Sequence, residues 1–112
     1  MQSLCASKRY DASLFFGHIV LEKILKALVV QRTGDHAPYT HNLVQLAEVS
    51  GATFSADEMM FLQEANTFNM EARYPEAKLR FYKQCTEDFT RPKIEKIEQL
   101  YDRICHELKQ SK

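Results

Sequence analysis

A segment suited to recognising a phosphate and a base lies in the second half of the chain, at Glu71-Ala72-Arg73-Tyr74-Pro75. The guanidinium of Arg73 is a planar, permanently charged group that binds phosphate through two parallel hydrogen bonds. Tyr74 offers a ring face for a base and a hydroxyl for hydrogen bonding. Because Tyr74 precedes a proline, it is expected to leave the helix and form a turn. Further cations follow within ten residues, at Lys78, Arg80 and Lys83.

A line of polar residues, His18, Glu22 and Lys26, crosses an otherwise apolar stretch at intervals of four residues. On a helix this spacing stacks the three side chains on one face, and Glu before Lys is the favourable order for an ion pair. Two interpretations stay open, a solvent-exposed seam or a polar strip that lines a groove. Arg73 also has two interpretations: it contacts phosphate, or it pairs with Glu22 or Glu71 and only fixes the turn.

Signatures of the common enzyme classes are absent from the sequence. Three scattered glycines exclude a glycine-rich phosphate loop, and neither Gly-x-Ser-x-Gly nor HExxH occurs. A predicted turn separates His36 from His41, so helical metal-ligand spacing does not apply to them. The three cysteines are odd in number and lack a CxxC spacing, which is typical of reduced thiols. We therefore predict no metal site, no cofactor and a cytoplasmic location.

The elements that must position these residues are predicted to be helices. The 112 residues contain only three glycines and three prolines, which favours a few long helices in one domain. Ser55 and Glu58 have the spacing of a capping box, and Thr40 is the predicted cap of a short helix. Pro92 fits best in a first helical turn, so the regular part of the last helix is placed after Thr90. The predicted helices are Asp11 to Thr33, His41 to about Val49, Ser55 to about Ala72, and one that begins near Thr86 or Thr90.

The first long helix is apolar on two adjoining faces, which exceeds the usual single stripe. One face carries Leu14, His18, Leu21, Leu25 and Leu28, and the other carries Phe16, Val20, Ile24 and Ala27. Both faces must be covered, by neighbouring helices and by a second subunit, so a homodimer is predicted. The charged residues within this helix make it too polar to span a bilayer.

Charge is unevenly distributed along the chain although the net charge is zero. Residues 1–33 carry five basic and two acidic residues, residues 34–72 carry six acidic and no basic ones, and residues 73–112 carry ten basic and seven acidic ones. The zero total argues against bulk affinity for nucleic acid. It is compatible with a locally basic site, or with segments that attract one another within a helical bundle or across a dimer.

Three segments, taken together and in this order, resemble the HEPN domain family. They are Phe15–Leu28 (FFGHIVLEKILKAL), Ala37–Leu43 (APYTHNL) and Asn66–Pro75 (NTFNMEARYP), and the resemblance covers roughly residues 3 to 109. It implies an all-α fold, a compact bundle of four to five helices, as a single domain over residues 1–112. It also implies a homodimer, a minimal nucleotidyltransferase as partner, often in a toxin–antitoxin pair, and binding of a nucleotide or RNA.

The chain departs from the family in two respects. Family members that act as ribonucleases carry an arginine, four to six intervening residues and a histidine. Here Arg32 precedes His36 with three residues between them, and Arg103 precedes His106 with two. No catalytic residue is therefore predicted, and an enzyme is disfavoured. Members also usually have a complete helix before the segment Lys8-Arg9-Tyr10, so the first helix is expected to be truncated.

The leading hypothesis is a non-catalytic module that holds a nucleotide, or a nucleotide-bearing substrate, for a partner nucleotidyltransferase. Its predicted ligand-binding residues are Arg73, Tyr74, Glu71, Glu22, Lys26 and His41. One alternative is a ribonuclease toxin with a non-standard site, such as Arg73 with His41 as general base. Another is a purely protein-binding dimerisation module in which the Arg73 turn is a salt-bridged hinge.

Overall fold

The structure, a computed structural model, describes residues 10–73, 80 and 82–110, and for residues 11, 69–73 and 110 it describes the backbone alone. The described residues are all-α and contain no strand, which confirms the predicted helical bundle. Residues 80 and 82–84 are helical. The longer helices are α1 (Tyr10–Thr33), α2 (Leu43–Ser50), α3 (Ala56–Arg73) and α4 (Glu87–Gln110).

Two predictions extend past this part of the chain. The expected truncated first helix concerns residues 1–9, which lie outside the described residues. The single domain over residues 1–112 stays a prediction for the same reason. Within the described residues, no helix is long and apolar enough to cross a membrane.

Helix α1 is the centre of the bundle, because α2, α3 and α4 each pack against it. The predicted inner face of α1 is confirmed: its four leucines and His18 are almost completely buried. The helices around it contribute Leu43 and Leu46 from α2, Leu62, Ala65 and Phe68 from α3, and Ile94, Ile97 and Ile104 from α4. Full burial of each large apolar side chain stabilises the fold by about 1.5–3 kcal/mol.

The directions of the helices follow from their contacts. Helices α1 and α4 run parallel to each other. Gly17 of α1 lies against Ile97 of α4, and further along both helices Arg32 pairs with Glu107 at 2.8 Å. Helix α3 runs the opposite way, because it contacts α4 through the pairs Glu58–Arg103 and Glu64–Lys93. The end of α3 therefore lies at the end of the bundle where α1 and α4 begin.

The short helix α2 differs from its prediction at its start. Asn42, not Thr40, is the cap: its Oδ1 accepts hydrogen bonds from the backbone N–H groups of Val44 (3.0 Å) and Gln45 (3.2 Å). Thr40 acts one step earlier, where its hydroxyl accepts from the backbone N–H of Asn42. The predicted end of α2 is confirmed, since Gly51 has a φ of 74°, a left-handed conformation that favours glycine.

The starts of α3 and α4 test the predicted capping box and the predicted position of Pro92. The predicted capping box is confirmed: Ser55 N–H donates to Glu58 Oε1 (2.8 Å), and Glu58 N–H donates to Ser55 Oγ (3.1 Å). Helix α4 is regular from Glu87, earlier than predicted, and Pro92 lies inside it. The hydroxyl of Thr86 accepts from the backbone N–H of Phe89, which stabilises the extra turn before the proline.

A polar cluster around Glu22

Three residues predicted to bind ligand converge at the surface of α1. Glu22 Oε2 accepts a hydrogen bond from Lys26 Nζ at 3.0 Å, one turn further along the helix. Glu22 Oε1 accepts from His41 Nδ1 at 2.9 Å, across the loop that precedes α2. The carboxylate is thus shared by two groups that can carry positive charge, from two different parts of the chain.

The buried residue His18 completes this group, which we call the Glu22 cluster (His18, Glu22, Lys26, His41). His18 Nε2 donates to the backbone carbonyl of His41 at 3.1 Å, and its Nδ1 lies 3.9 Å from Glu22 Oε1. The side chains of His18, Glu22 and Lys26 are 1%, 14% and 30% exposed. This rising exposure excludes a fully solvated seam, so the polar strip begins in the core and opens at the surface.

Two asparagines hold the loop that presents His41. Asn66 of α3 accepts a hydrogen bond from Leu43 N–H at 2.8 Å through its Oδ1 and donates to Asn42 Oδ1 at 3.0 Å through its Nδ2. The residue next to His41 is therefore tied to α3, while His41 itself is tied to α1 twice. Helices α1 and α3 together fix the position of this imidazole.

The electrostatics of the cluster favour an ionised Glu22. Burial raises the pKa of this carboxyl, but the hydrogen bonds from His41 and Lys26, together with their charges, outweigh burial and hold the pKa below its ordinary value. An ionised carboxylate only accepts hydrogen bonds, so the proton between Glu22 and His41 lies on Nδ1. Neutral His41 then carries its lone pair on Nε2, and its side chain is 54% exposed.

Sequence reasoning missed Tyr39 as a residue of this site. Its side chain is fully exposed, and the centre of its ring lies 6.0 Å from Lys26 Nζ. A cation at that distance from an aromatic face is at the outer range of a cation–π contact. The available signal was a lone aromatic residue between Pro38 and Thr40, in a polar loop where no helical period requires it.

The structure describes the remaining predicted ligand-binding residues only in part. Glu71 and Arg73 form part of the last turn of α3, and their side chains are outside what the structure describes; Tyr74 lies outside the described residues altogether. Arg73 follows Asn66 by seven residues, about two helical turns or roughly 10 Å along α3. Among the described side chains, the partners of Glu22 are Lys26 and the two histidines.

This arrangement can bind an anion and can accept a proton. Lys26 and His41 are cations or potential cations held by one carboxylate, next to an exposed aromatic ring. An imidazole oriented by a carboxylate, with its second nitrogen facing solvent, has the form of a general base. Within the described residues, no group of three histidine, cysteine, aspartate or glutamate side chains is placed to hold a metal ion.

Comparison with known proteins identifies the chain at the level of the family. A family model described as HEPN domain matches residues 1–109, nearly the whole sequence. The resemblance carried by the three sequence segments is thereby confirmed. Comparisons with curated proteins and with solved structures gave no match.

Proposed function

We propose that this chain, which belongs to the HEPN domain family, is a non-catalytic module that binds a nucleotide or a nucleotide-bearing substrate. On this proposal it acts in the cytoplasm as a homodimer, with a minimal nucleotidyltransferase as partner in a toxin–antitoxin pair. The observation that carries the binding function is the Glu22 cluster beside the exposed ring of Tyr39. A ring, an ammonium group and an imidazole at one surface offer what a base and a phosphate require.

Each part of the site has a role in the proposed binding. The base stacks on Tyr39, a contact that tolerates different bases because every base has a π face. The phosphate approaches Lys26 and His41, whose nitrogen atoms already lie together around Glu22. Arg73 extends the site from the end of α3 with a second, bidentate phosphate contact.

The direct test is titration of ATP, GTP and a short single-stranded RNA into the purified protein. Tyr39→Ala is the sharpest variant, because its side chain is fully exposed and supports no core packing. Loss of one base–aromatic stack is worth about 1–3 kcal/mol, so we expect affinity to fall by about fivefold to 150-fold. Tyr82→Ala, at another exposed tyrosine, is the matched control and should bind like the wild type.

Arg73→Ala tests the phosphate contact in the same assay and should also weaken binding. The absence of saturable binding by the wild type, or equal binding by wild type and both site variants, would contradict the proposal. If the wild type forms a dimer but binds neither nucleotide nor RNA, the protein-binding alternative is favoured instead. A minimal nucleotidyltransferase gene next to the gene for this chain would support the proposed partner.

A ribonuclease is the second candidate, and one specific contact favours it. The 2.9 Å hydrogen bond from His41 Nδ1 to Glu22 leaves Nε2 available to take a proton from a ribose hydroxyl. Arg73 would then stabilise charge on the scissile phosphate. Incubating the purified protein and the variant His41→Asn with total RNA decides this: cleavage by the wild type alone supports it, and intact RNA across a range of pH values removes it.

A further inference from the structure

A concave surface lies along the seam between α3 and α4 and shares no residue with the Glu22 cluster. It encloses about 640 Å³. Its floor is formed by Phe61 and Leu100, which are almost buried, and Met60 stands at its rim with 68% of its side chain exposed.

The two walls of this α3–α4 groove carry opposite charges. The α3 wall bears Asp57, Glu58 and Glu64, and the α4 wall bears Lys96 and Arg103. Ion pairs close the groove at both ends, with Glu64 bound to Lys93 at one end and Glu58 to Arg103 (3.3 Å) at the other.

Charge stays available between these two ion pairs. In the described part of the chain neither Asp57 nor Lys96 has an ion-pair partner. The Nζ of Lys96 lies 5.7 Å from the centre of the Phe61 ring, directly beside the apolar floor. The groove therefore presents an unpaired acid on one wall, an unpaired base on the other and an apolar surface between them.

These features restrict the class of occupant. Every charged residue on the α3 wall is acidic, and Asp57 among them is unpaired within the described residues, which disfavours the phosphates of a nucleic acid there. The walls run from Asp57 to Glu64 on α3 and from Lys96 to Arg103 on α4, eight residues each, or about 10 Å at 1.5 Å per residue, which is about two helical turns. Two antiparallel helices side by side form a trough whose ridges and grooves match a third helix.

We propose that the α3–α4 groove binds an amphipathic helix of a partner protein. Apolar residues of that helix, spaced by three or four positions, pack on Phe61 and Leu100. Met60 adapts its unbranched side chain to them. A basic residue on one flank of the helix faces Asp57, and an acidic residue on the other flank faces Lys96.

The test uses a display library of helical peptides of about 18 residues, or five turns, selected on the folded chain. Affinities of the selected peptides are then measured by fluorescence anisotropy on the wild type and four variants. Binding should weaken by about tenfold or more on Met60→Asp and on Lys96→Glu, as for central interface residues. Exchanging the acidic residue of the peptide for lysine should restore affinity for Lys96→Glu.

Two control variants show whether a loss of peptide binding is specific to the α3–α4 groove. Val49→Asp introduces the same charge at an exposed apolar position of α2 and should leave peptide binding unchanged. Lys26→Ala perturbs the Glu22 cluster and should also leave it unchanged, so this inference and the proposed nucleotide binding can fail separately. Because Met60 is mostly exposed, Met60→Asp should keep the helical circular dichroism of the wild type.

Three results would overturn the proposal. In the first, no peptide binds the wild type. In the second, the selected peptides bind Met60→Asp and Lys96→Glu as tightly as the wild type, which places them elsewhere on the surface. In the third, Met60→Asp converts a dimer into a monomer in light scattering, which assigns the groove to a second copy of this chain.

Discussion

Glu22 is the residue on which the candidate site depends. It lies 14% exposed between Lys26 on its own helix and His41 on a loop 19 residues away in sequence. Removing its charge leaves Lys26 and His41 close together without their shared anion. The position of His41, and of the loop that carries Tyr39, should therefore respond to a change at this one side chain.

The effect of Glu22 on stability should depend on pH in a defined direction. Its folded pKa lies below the ordinary value of 4.5, so its contribution is complete above that value and is lost as the pH falls through the folded pKa. Hydrogen bonds to charged groups are worth about 1.5–3 kcal/mol each. We expect Glu22→Gln to lower the free energy of unfolding by about 1–3 kcal/mol at pH 7.

Urea unfolding of the wild type and Glu22→Gln between pH 7 and pH 3 measures this difference. The two free energies of unfolding should converge below pH 4.5, because protonation removes the same charge from the wild type. Glu48→Gln, at an exposed position of α2, is the control and should follow the wild type throughout. A gap between wild type and Glu22→Gln that stays constant as the pH falls would contradict a role for the Glu22 charge.

At this scale the sequence predicted only the local part of the cluster. The four-residue spacing of His18, Glu22 and Lys26 identified one polar face of α1. The sequence also predicts His41 as a ligand-binding residue, but the contact of His41 with Glu22 depends on how two distant segments pack. Tyr39 was missed for the same reason, since nothing local distinguishes an exposed loop tyrosine from one near a cation.

At the scale of helices, the sequence predicts a helix boundary well where residues of the same segment determine it. Helix α1 and helix α3 begin and end within one residue of their predicted bounds, because apolar periodicity, a capping box and glycine mark them. The start of α2 was predicted wrongly. Asn42 caps it with help from Asn66 of another helix, and a pattern within one segment does not contain that contact.

The crossing of α1 and α4 provides a prediction for this scale. A Cβ added to Gly17 would overlap with the terminal methyl group of Ile97, which is fully buried. Overpacking of a core costs about 1–3 kcal/mol, and alanine recovers up to about 1 kcal/mol of helix propensity. We therefore expect Gly17→Ala to destabilise the protein by about 1–2 kcal/mol.

A double-mutant cycle with Ile97→Val tests the cause. Ile97→Val removes the methyl group that an alanine at position 17 would meet, so it should cost less in the Gly17→Ala background than in the wild type. Unfolding free energies from urea denaturation of the four proteins give the coupling. Additive effects of the two substitutions would show that the close approach of the helices does not set the cost.

At the scale of the molecule, the uneven charge of the sequence has a structural outcome. The acidic segment 34–72 includes most of α3, and the basic segment after it includes α4. They meet in the pairs Glu58–Arg103 and Glu64–Lys93, within one chain. The sequence predicted that such segments attract one another, but left open whether they do so within a bundle or across a dimer.

The second apolar face of α1 is the remaining feature of the whole molecule. The sequence required that both faces be covered, yet on the second face Phe16 is 50% exposed and Ala27 is exposed as well. The helices of this chain cover the leucine face and leave this second face partly open to solvent. A second copy that packs its own α1 on this face would bury it symmetrically, as expected for a twofold dimer.

The homodimer stays a prediction, and this second face of α1 is the surface on which to test it. Light scattering at micromolar concentration should give a dimeric mass for the wild type. Phe16→Asp should shift the protein towards the monomer, because a charge at the centre of an apolar interface costs about 2 kcal/mol or more. Val49→Asp on α2 and Met60→Asp at the α3–α4 groove introduce the same charge at other exposed apolar positions and should leave the dimer intact. A monomeric wild type would contradict the dimer, and a dimer that survives Phe16→Asp would place its interface on another face.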